Sequence, residues 1–558
     1  MLKEKKFYPL VFSLKALLVI AVFSSVGEKI FSMSKSVGML FPWGFCWSFS
    51  VDYISSLFLV MVCCVSISVF AYSWGYLQGE GMWNKFIQTL LLFTLSMMIL
   101  SLSSSVMSTM VGWDGLGLSS VALIFFYCGW VSFRNGMVTF FCNRVGDVFF
   151  MIFITLISIS PYGLTTEHGV SLLISAITKS AQVPFHIWLP MAMAAPTPVS
   201  SLVHSSTLVT GGIFILVRYG AEVNFLDELG VVLFSLSSLT LLFSGVSSIF
   251  ETDLKKVIAL STLVHISLIM VFISLGDHFP ALAHLLCHAF MKSGLFMVGG
   301  WMIHEMGGSQ DIRASSVNPS GSPSWSFLLS VFLLSMVGFP FLSGFCSKEL
   351  MLGSLFEDSG FSISTVVVYF GLFSSSMYSF RLFFSLSQVT SFSFTWSNWG
   401  SEKGMLYPLF ISMIGALVVG MGLSLVLFSI EKFQESMYAF LTEKLLVVVL
   451  VILSVFLICL LVAIQWDSKL FAVWSKMSLF SSSLGDMLGR LVNPIRKIQA
   501  LDKEGFFGLG VKVMSFFVQD LTKLPVPLFE GSKSQLLKLG LLFVLILSFT
   551  SMGSLLSL

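Results

Sequence analysis

The chain has 558 residues, of which 56% are hydrophobic and only 10% charged, with a net charge of +2 and a mean hydropathy of +0.94. Soluble domains carry about 25% charged residues, so these numbers exclude an ordinary soluble fold and indicate a polytopic membrane protein. The near-zero net charge gives no electrostatic argument for nucleic acid, and eight cysteines without a CxxC pair suggest neither a disulfide framework nor a zinc site.

The start, MLKEKKFYPL, mixes an acid with its lysines and lacks a small-residue cleavage signal after its apolar run. No removable targeting peptide is expected. A spanning helix needs about 20 mostly apolar residues. Such segments lie near 8–27, 52–75, 86–105, 106–130, 136–158, 170–190 and 197–218. More follow near 229–250, 256–275, 280–303, 325–347, 362–386, 407–430 and 443–465, and a fifteenth lies near 537–556. Between them, 466–536 is too polar to span and too apolar to float free, as in KLFAVWSKMSLF. It reads as an amphipathic helix along a surface, interrupted at Pro494 and Gly505 and ending at Pro525 and Pro527. About sixty helical residues would reach on the order of 90 Å. A surface loop with short helices is the plainer alternative. Fourteen spanners before this stretch put it on the same side as the N-terminus. Lys3, Lys5 and Lys6, with the lysines of the stretch, place both on the inner side.

Ionisable groups inside apolar segments carry the functional signal. An ammonium or carboxylate at membrane depth costs several kcal/mol, roughly 2.5–3.5 on insertion scales, so it faces protein or water. Asp114 lies in MVGWDGLGLSS, and Lys179 is its candidate partner. Arg144 and Asp147, in FFCNRVGDVFF, are three apart and share one helix face. They read either as a structural ion pair or as a coupling pair. Lys179 is followed by four prolines, Pro184, Pro190, Pro196 and Pro198, and then by His204 in the next apolar segment. Proline frees carbonyls, and broken helices with ionisable groups near the midplane are how transporters build ion paths. His284, His288 and Lys292 fall at i, i+4 and i+8, one stripe of one helix. Lys348 follows a proline–glycine break at Pro340 and Gly344. Histidine titrates near neutrality, and a lysine denied water takes and releases a proton there too. His186 and His265 read as packing residues. The His284/His288 spacing suits a metal, but beyond Cys287 no third ligand is evident, so no metal site is expected. HEMGG at His304 lacks a second histidine, and GFFGLG at Gly505 has no strand before it. No redox or hydrolytic motif is visible.

Several of these segments resemble the subunit 5 family of respiratory NADH dehydrogenase, the distal antiporter-like subunits of complex I. VGWDGLGLSS looks like that family's GWEGVGLSS, and CNRVGD contains its NRVGD. TKSAQVPFHIWLPMAMAAPTPVSSLVHSSTLVT, TDLKKVIALSTLVH, HAFMKSGLFMVGG and GFPFLSGFCSKEL resemble further family stretches, and together these cover roughly 52–381. The resemblance implies an all-α polytopic fold of about 15 transmembrane helices. It would contain two inverted five-helix repeats, here 84–218 and 228–388, each with a broken helix, after N-terminal helices at 1–83. Further helices at 389–465, the lateral amphipathic helix at 466–536 and an anchor at 537–558 would complete it. It implies a proton path through Asp114 with Lys179, His204, the His284/His288/Lys292 stripe and Lys348. Redox energy would arrive from other subunits. NAD, FMN, iron–sulfur clusters and ubiquinone would be held by those subunits, with none in this chain, and a bound phospholipid such as cardiolipin is expected. The partners implied are the other membrane subunits of complex I, notably subunits 4 and 2 along the lateral helix, and supernumerary subunits. The location implied is the mitochondrial inner membrane, in keeping with a composition rich in Phe, Ser and Met.

The chain departs from that pattern at three residues. Asp114 stands where the family usually has glutamate, Met191 replaces the acid of WLPDAM, and His265 replaces a glutamine and adds a relay group. One N-terminal spanner fewer than the usual sixteen is also expected. Two rivals stand beside a proton pump. One is a subunit of a multisubunit sodium-type cation/proton antiporter, which shares the core. The other is a structural clamp whose channel has decayed.

Overall fold

The computed structural model describes residues 31–35, 47–78, 80–159, 166–220, 228–312, 323–339, 342–358, 363–387, 399–429, 449 and 451–456. The chain divides into two units, 1–478 and 479–558, and all described residues lie in the first. The expected spanners at 8–27 and 537–556, most of that at 443–465, the amphipathic stretch 466–536 and Pro340 lie outside the described residues.

Long helices form where the sequence offers unbroken apolar runs. α1 Tyr53–Tyr76, α2 Trp83–Leu102, α3 Val106–Ile124 and α4 Trp130–Ile159 match the expected spanners within a few residues. The proline-rich stretch then breaks the chain into short pieces. α5 Thr166–Lys179 ends on the lysine itself, and a 3-10 turn at Phe185–Ile187 leads into α6 Trp188–Ala192. α7 Thr197–Leu202 passes through a π-helical turn, Val203–Thr207, into α8 Leu208–Tyr219. α9 Glu228–Phe250, α10 Leu254–Leu275 and α11 His278–Glu305 are again continuous. α12 Pro323–Val337, α13 Ser343–Asp358, α14 Ile363–Ser387 and α15 Trp399–Ser429 follow. Among the described residues, nine helices are long and apolar enough to cross a membrane.

Two expectations change. The run 325–347, read as one spanner, is two helices, α12 and α13, with a break between them. The all-α reading gains an antiparallel hairpin of β1 Phe31–Lys35 and β2 Trp47–Val51. Both strands alternate apolar residues with serine, the period-2 pattern of a strand, and the register pairs Met33 with Phe49 and Ser32 with Ser50. The Ser104 N–H donates to the Ser48 carbonyl at 3.0 Å, which pins β2 to the turn between α2 and α3. Arg218, at the end of α8, donates to Ser50 Oγ at 3.1 Å and pairs with Asp52 at 3.3 Å, tying the entrance of α1 to the same place.

α10 and the segment from α7 to α8 are buried over an 18-residue stretch, whereas only a minority of the corresponding residues of α4 and α9 are buried. α4 shows Val145, Val148 and Ile152 outward, and α9 shows Val231, Val232 and Phe243, apolar faces that suit lipid. Serines inside the helices return their hydroxyls to carbonyls one turn back, as Ser175 does to Leu172 at 2.7 Å and Ser293 to Phe290 at 3.1 Å. A polar side chain is thereby satisfied without water.

The break after α12 depends on Gly338. Its φ of +88° is a left-handed conformation open to glycine, and its N–H and that of Phe339 both return to the Leu334 carbonyl at 3.1 Å. A Cβ there would stand 3.1 Å from Lys348 Cδ. Gly338→Ala therefore combines backbone strain with pressure on Lys348. We expect a loss of about 1–2 kcal/mol in stability, read as a lower thermal midpoint of the assembled complex. An unchanged midpoint would show that the break does not need the glycine.

Candidate functional site

The first cluster joins α3, α4 and α5. Asp114 is half-buried and receives Arg144 Nη1 at 2.6 Å, and the same nitrogen lies 3.1 Å from Asp147 Oδ2. Arg144 thus bridges two acids from neighbouring helices. Asp147 Oδ1 also accepts the Trp113 indole N–H at 2.8 Å. Lys179 is fully buried, and its Nζ donates to the Trp113 carbonyl at 2.5 Å while lying 3.7 Å from the centroid of the Trp113 ring. The expected contact of Asp114 with Lys179 is therefore not the arrangement present. The aspartate faces the guanidinium, which is always charged and can serve two carboxylates at once. Asp147 and Asp114 still act on Lys179 through space, Asp147 the more strongly. Two acids and two bases make a neutral quartet, which lowers the cost of burying any one of them.

Helix ends supply the neutral acceptors. At the end of α5, Trp188 Nε1 takes the Thr178 carbonyl at 2.9 Å and Gln182 Nε2 takes that of Ser180 at 3.3 Å. Thr240 of α9 donates to the Gln182 side-chain oxygen. Pro184 heads the 3-10 turn that follows, which agrees with its expected place at a helix break. His204 sits in the π-helical turn, fully buried, with neither ring nitrogen hydrogen-bonded. That turn packs against both α10 and α11, two helices of the second cluster. π-turns often mark functional positions.

The second cluster is built by α10, α11, α13 and α14. Lys292 Nζ donates to Ser261 Oγ at 2.5 Å and lies 5.4 Å from the Tyr378 ring. His265 Nε2 meets Tyr378 Oη at 2.8 Å, and its Nδ1 meets His284 Nε2 at 3.0 Å. His284 Nδ1 in turn meets Ser347 Oγ at 3.0 Å. The next residue, Lys348, donates to the carbonyls of Met336 at 2.6 Å and Val337 at 3.0 Å, and to Ser375 Oγ at 3.1 Å. Those carbonyls are the ones freed where α12 stops. The His288 ring is 5.5 Å from that of His265, and its nitrogens have no hydrogen-bond partner. Hydroxyls and neutral imidazoles can each both give and take a proton, whereas an ammonium only gives one and its neutral amine only takes one. Among the described residues no group of three or more His, Cys, Asp or Glu is placed to hold a metal.

His265, which sequence reasoning assigned to packing, is the centre of the second cluster. Its signal was the histidine at a glutamine position. Tyr378 carried none, and it enters only because α14 packs against α10. Lys255 was also passed over. It is buried at the start of α10 and donates to the Ala195 carbonyl, freed in the proline-rich break, at 3.2 Å. Its trace in the sequence is the first lysine of DLKK.

Residues 103–375 match the family described as NADH:quinone oxidoreductase/Mrp antiporter, TM, and residues 42–87 match the N-terminus of NADH-ubiquinone oxidoreductase (complex I) chain 5. NADH-ubiquinone oxidoreductase chain 5 of Locusta migratoria is 38% identical over 409 residues, 69% of each chain. That of Aedes aegypti is 35% identical over 76% of each. The chain belongs to the NADH-ubiquinone oxidoreductase chain 5 family. Among solved structures, the Mrp complex from Dietzia is similar with a TM-score of 0.69 at 21% identity, covering 94% of this chain and 61% of that one. Respiratory complex I from Thermus thermophilus with bound NADH gives 0.64 at 19%, covering 74% and 90%. At that identity these two show the antiporter-like membrane fold alone. For a chain 5 with aspartate at 114, Arg144 is the anchor of the acid pair. Arg144→Gln leaves Asp114 and Asp147 without the guanidinium that bridges them, so less assembled complex is expected. Arg144→Gln with Asp147→Asn should recover part of it. Native gel electrophoresis of both variants checks this, and equal losses would refute the bridge.

Proposed function

We propose that this chain is a proton-translocating core membrane subunit of NADH:ubiquinone oxidoreductase and that its protons move through the two clusters in turn. The observation that carries the reading is the buried row from Lys292 to Lys348, in which each ammonium rests on hydroxyls or carbonyls and His265, His284 and Ser347 form a continuous hydrogen-bonded link. Family membership supplies the reaction. The chain is thus part of an H+-translocating reductase while carrying no redox centre itself. NAD, FMN, the clusters and ubiquinone belong to its partners.

The first cluster is the switch. Arg144 holds Asp114 and Asp147, and a shift of either acid changes the field at Lys179. Lys179 passes its proton by way of His204 to the stripe of His284, His288 and Lys292. His265 relays it toward Lys348, the exit-side group. Moving one charge through the membrane potential costs about 2.3 kcal/mol per 100 mV. A change of one pKa unit is worth about 1.36 kcal/mol, so rearranging one buried ion pair is of the right size. The helices from 84–218 and from 228–388 act as two inverted repeats, each with a lysine beside a break. The stretch 466–536 lies along neighbouring subunits 4 and 2, with 537–558 as anchor, in the mitochondrial inner membrane. Supernumerary subunits and phospholipid complete the surroundings.

Lys179→Ala, Lys292→Ala and Lys348→Ala should each cut proton pumping several-fold while the complex still assembles. The proton-to-electron ratio in reconstituted vesicles measures this, and unaltered ratios in all three would rule out the path. Deleting 466–558 should impair assembly and leave the chemistry of the clusters untouched. Pumping lost through point changes that spare assembly distinguishes a pump from a clamp.

A further inference from the structure

Trp113 touches both Lys179 and an acid of the first cluster. Its ring is fully buried and stacked on Phe150, with centroids 5.1 Å apart and planes 17° from parallel, so it has no room to swing. One face of the indole lies 3.7 Å from the Lys179 ammonium, its own carbonyl accepts that ammonium at 2.5 Å, and its N–H holds Asp147 at 2.8 Å. A cation on an aromatic face keeps its charge without being locked to a carboxylate, and Trp is the strongest face available. We propose that Trp113 is the positioning residue of the first cluster, cradling Lys179 on a neutral surface while turning Asp147 toward Arg144. Charge on the lysine and orientation of the acid are then linked through one rigid ring. Asp114, the next residue of α3, keeps its place from the same helical turn. The inference rests on the reading of Lys179 as a proton carrier.

The charged groups acting on Lys179 are Asp114 from α3 and Asp147 and Arg144 from α4. The titratable His186 and His204 lie on the segments that follow α5. Trp113→Leu removes the ring face and the N–H but keeps the carbonyl. Trp113→Phe keeps a weaker face and loses only the N–H. Without the ring, the ammonium gives up its proton at lower pH. The alkaline limb of proton pumping should therefore move down by about half a pH unit in Trp113→Leu, and by less in Trp113→Phe. The amount of assembled complex in each variant is read separately by native gel electrophoresis. If Trp113→Leu does not assemble, the Phe variant decides alone. In a Lys179→Ala background, Trp113→Phe should add no further shift.

A native pH profile in every assembled Trp113 variant would overturn the positioning role. Should Lys179→Ala still cut pumping several-fold, only that role falls. A native proton-to-electron ratio in Lys179→Ala would instead overturn the carrier reading on which it stands.

Discussion

The structure depends on housing lysine amines where there is no bulk water. Lys179, Lys292 and Lys348 are all buried, and protein must do the work of a hydration shell. Each is met by the same kinds of atom, main-chain carbonyls and hydroxyls. The carbonyls of Met336 and Val337 are available because α12 ends there and leaves its last acceptors without helical donors. Gly338 ends that helix, and the prolines after Lys179 end the other. For Lys348 a helix break thus supplies the acceptors, whereas Lys179 uses the Trp113 carbonyl within α3 and Lys292 the Ser261 hydroxyl within α10.

The two clusters solve the charge problem differently. The first balances two carboxylates against a guanidinium and an ammonium, so its net charge stays near zero and a small change in one pair is felt by the rest. The second is made of bases whose hydrogen-bond partners are neutral. Repulsion disfavours charge on Lys292 and Lys348 together. A proton arriving at one thus favours departure from the other. On the proposed path, disturbing the compensated cluster would bias a proton toward the uncompensated one. Arg144, rather than Lys179, holds Asp114, so the disturbance passes through a bridge and not a simple pair.

Much of this was legible in the chain because membrane burial makes charge conspicuous. Asp114, Arg144, Asp147, Lys179, Lys292 and Lys348 stand out against apolar neighbours, and the prolines mark where a helix cannot continue. Local pairings were harder. Arg144 and Asp147, three apart, share a face and do meet, but the same arginine also reaches Asp114 on another helix. His265 looked like packing because one ring in an apolar helix has no visible partner. Its partners, His284 and Tyr378, come from 19 and 113 residues away.

Composition, periodicity and isolated charges thus determined, from the sequence by itself, that the chain is a helical membrane protein, where most helices run and which charged residues sit inside its apolar segments. The family motifs determined its kin. Which charge faces which was decided only by tertiary packing. Contacts between helices are set by side-chain fit across the bundle, and a Trp113 ring that holds both a lysine and an aspartate has no signature within its own helix.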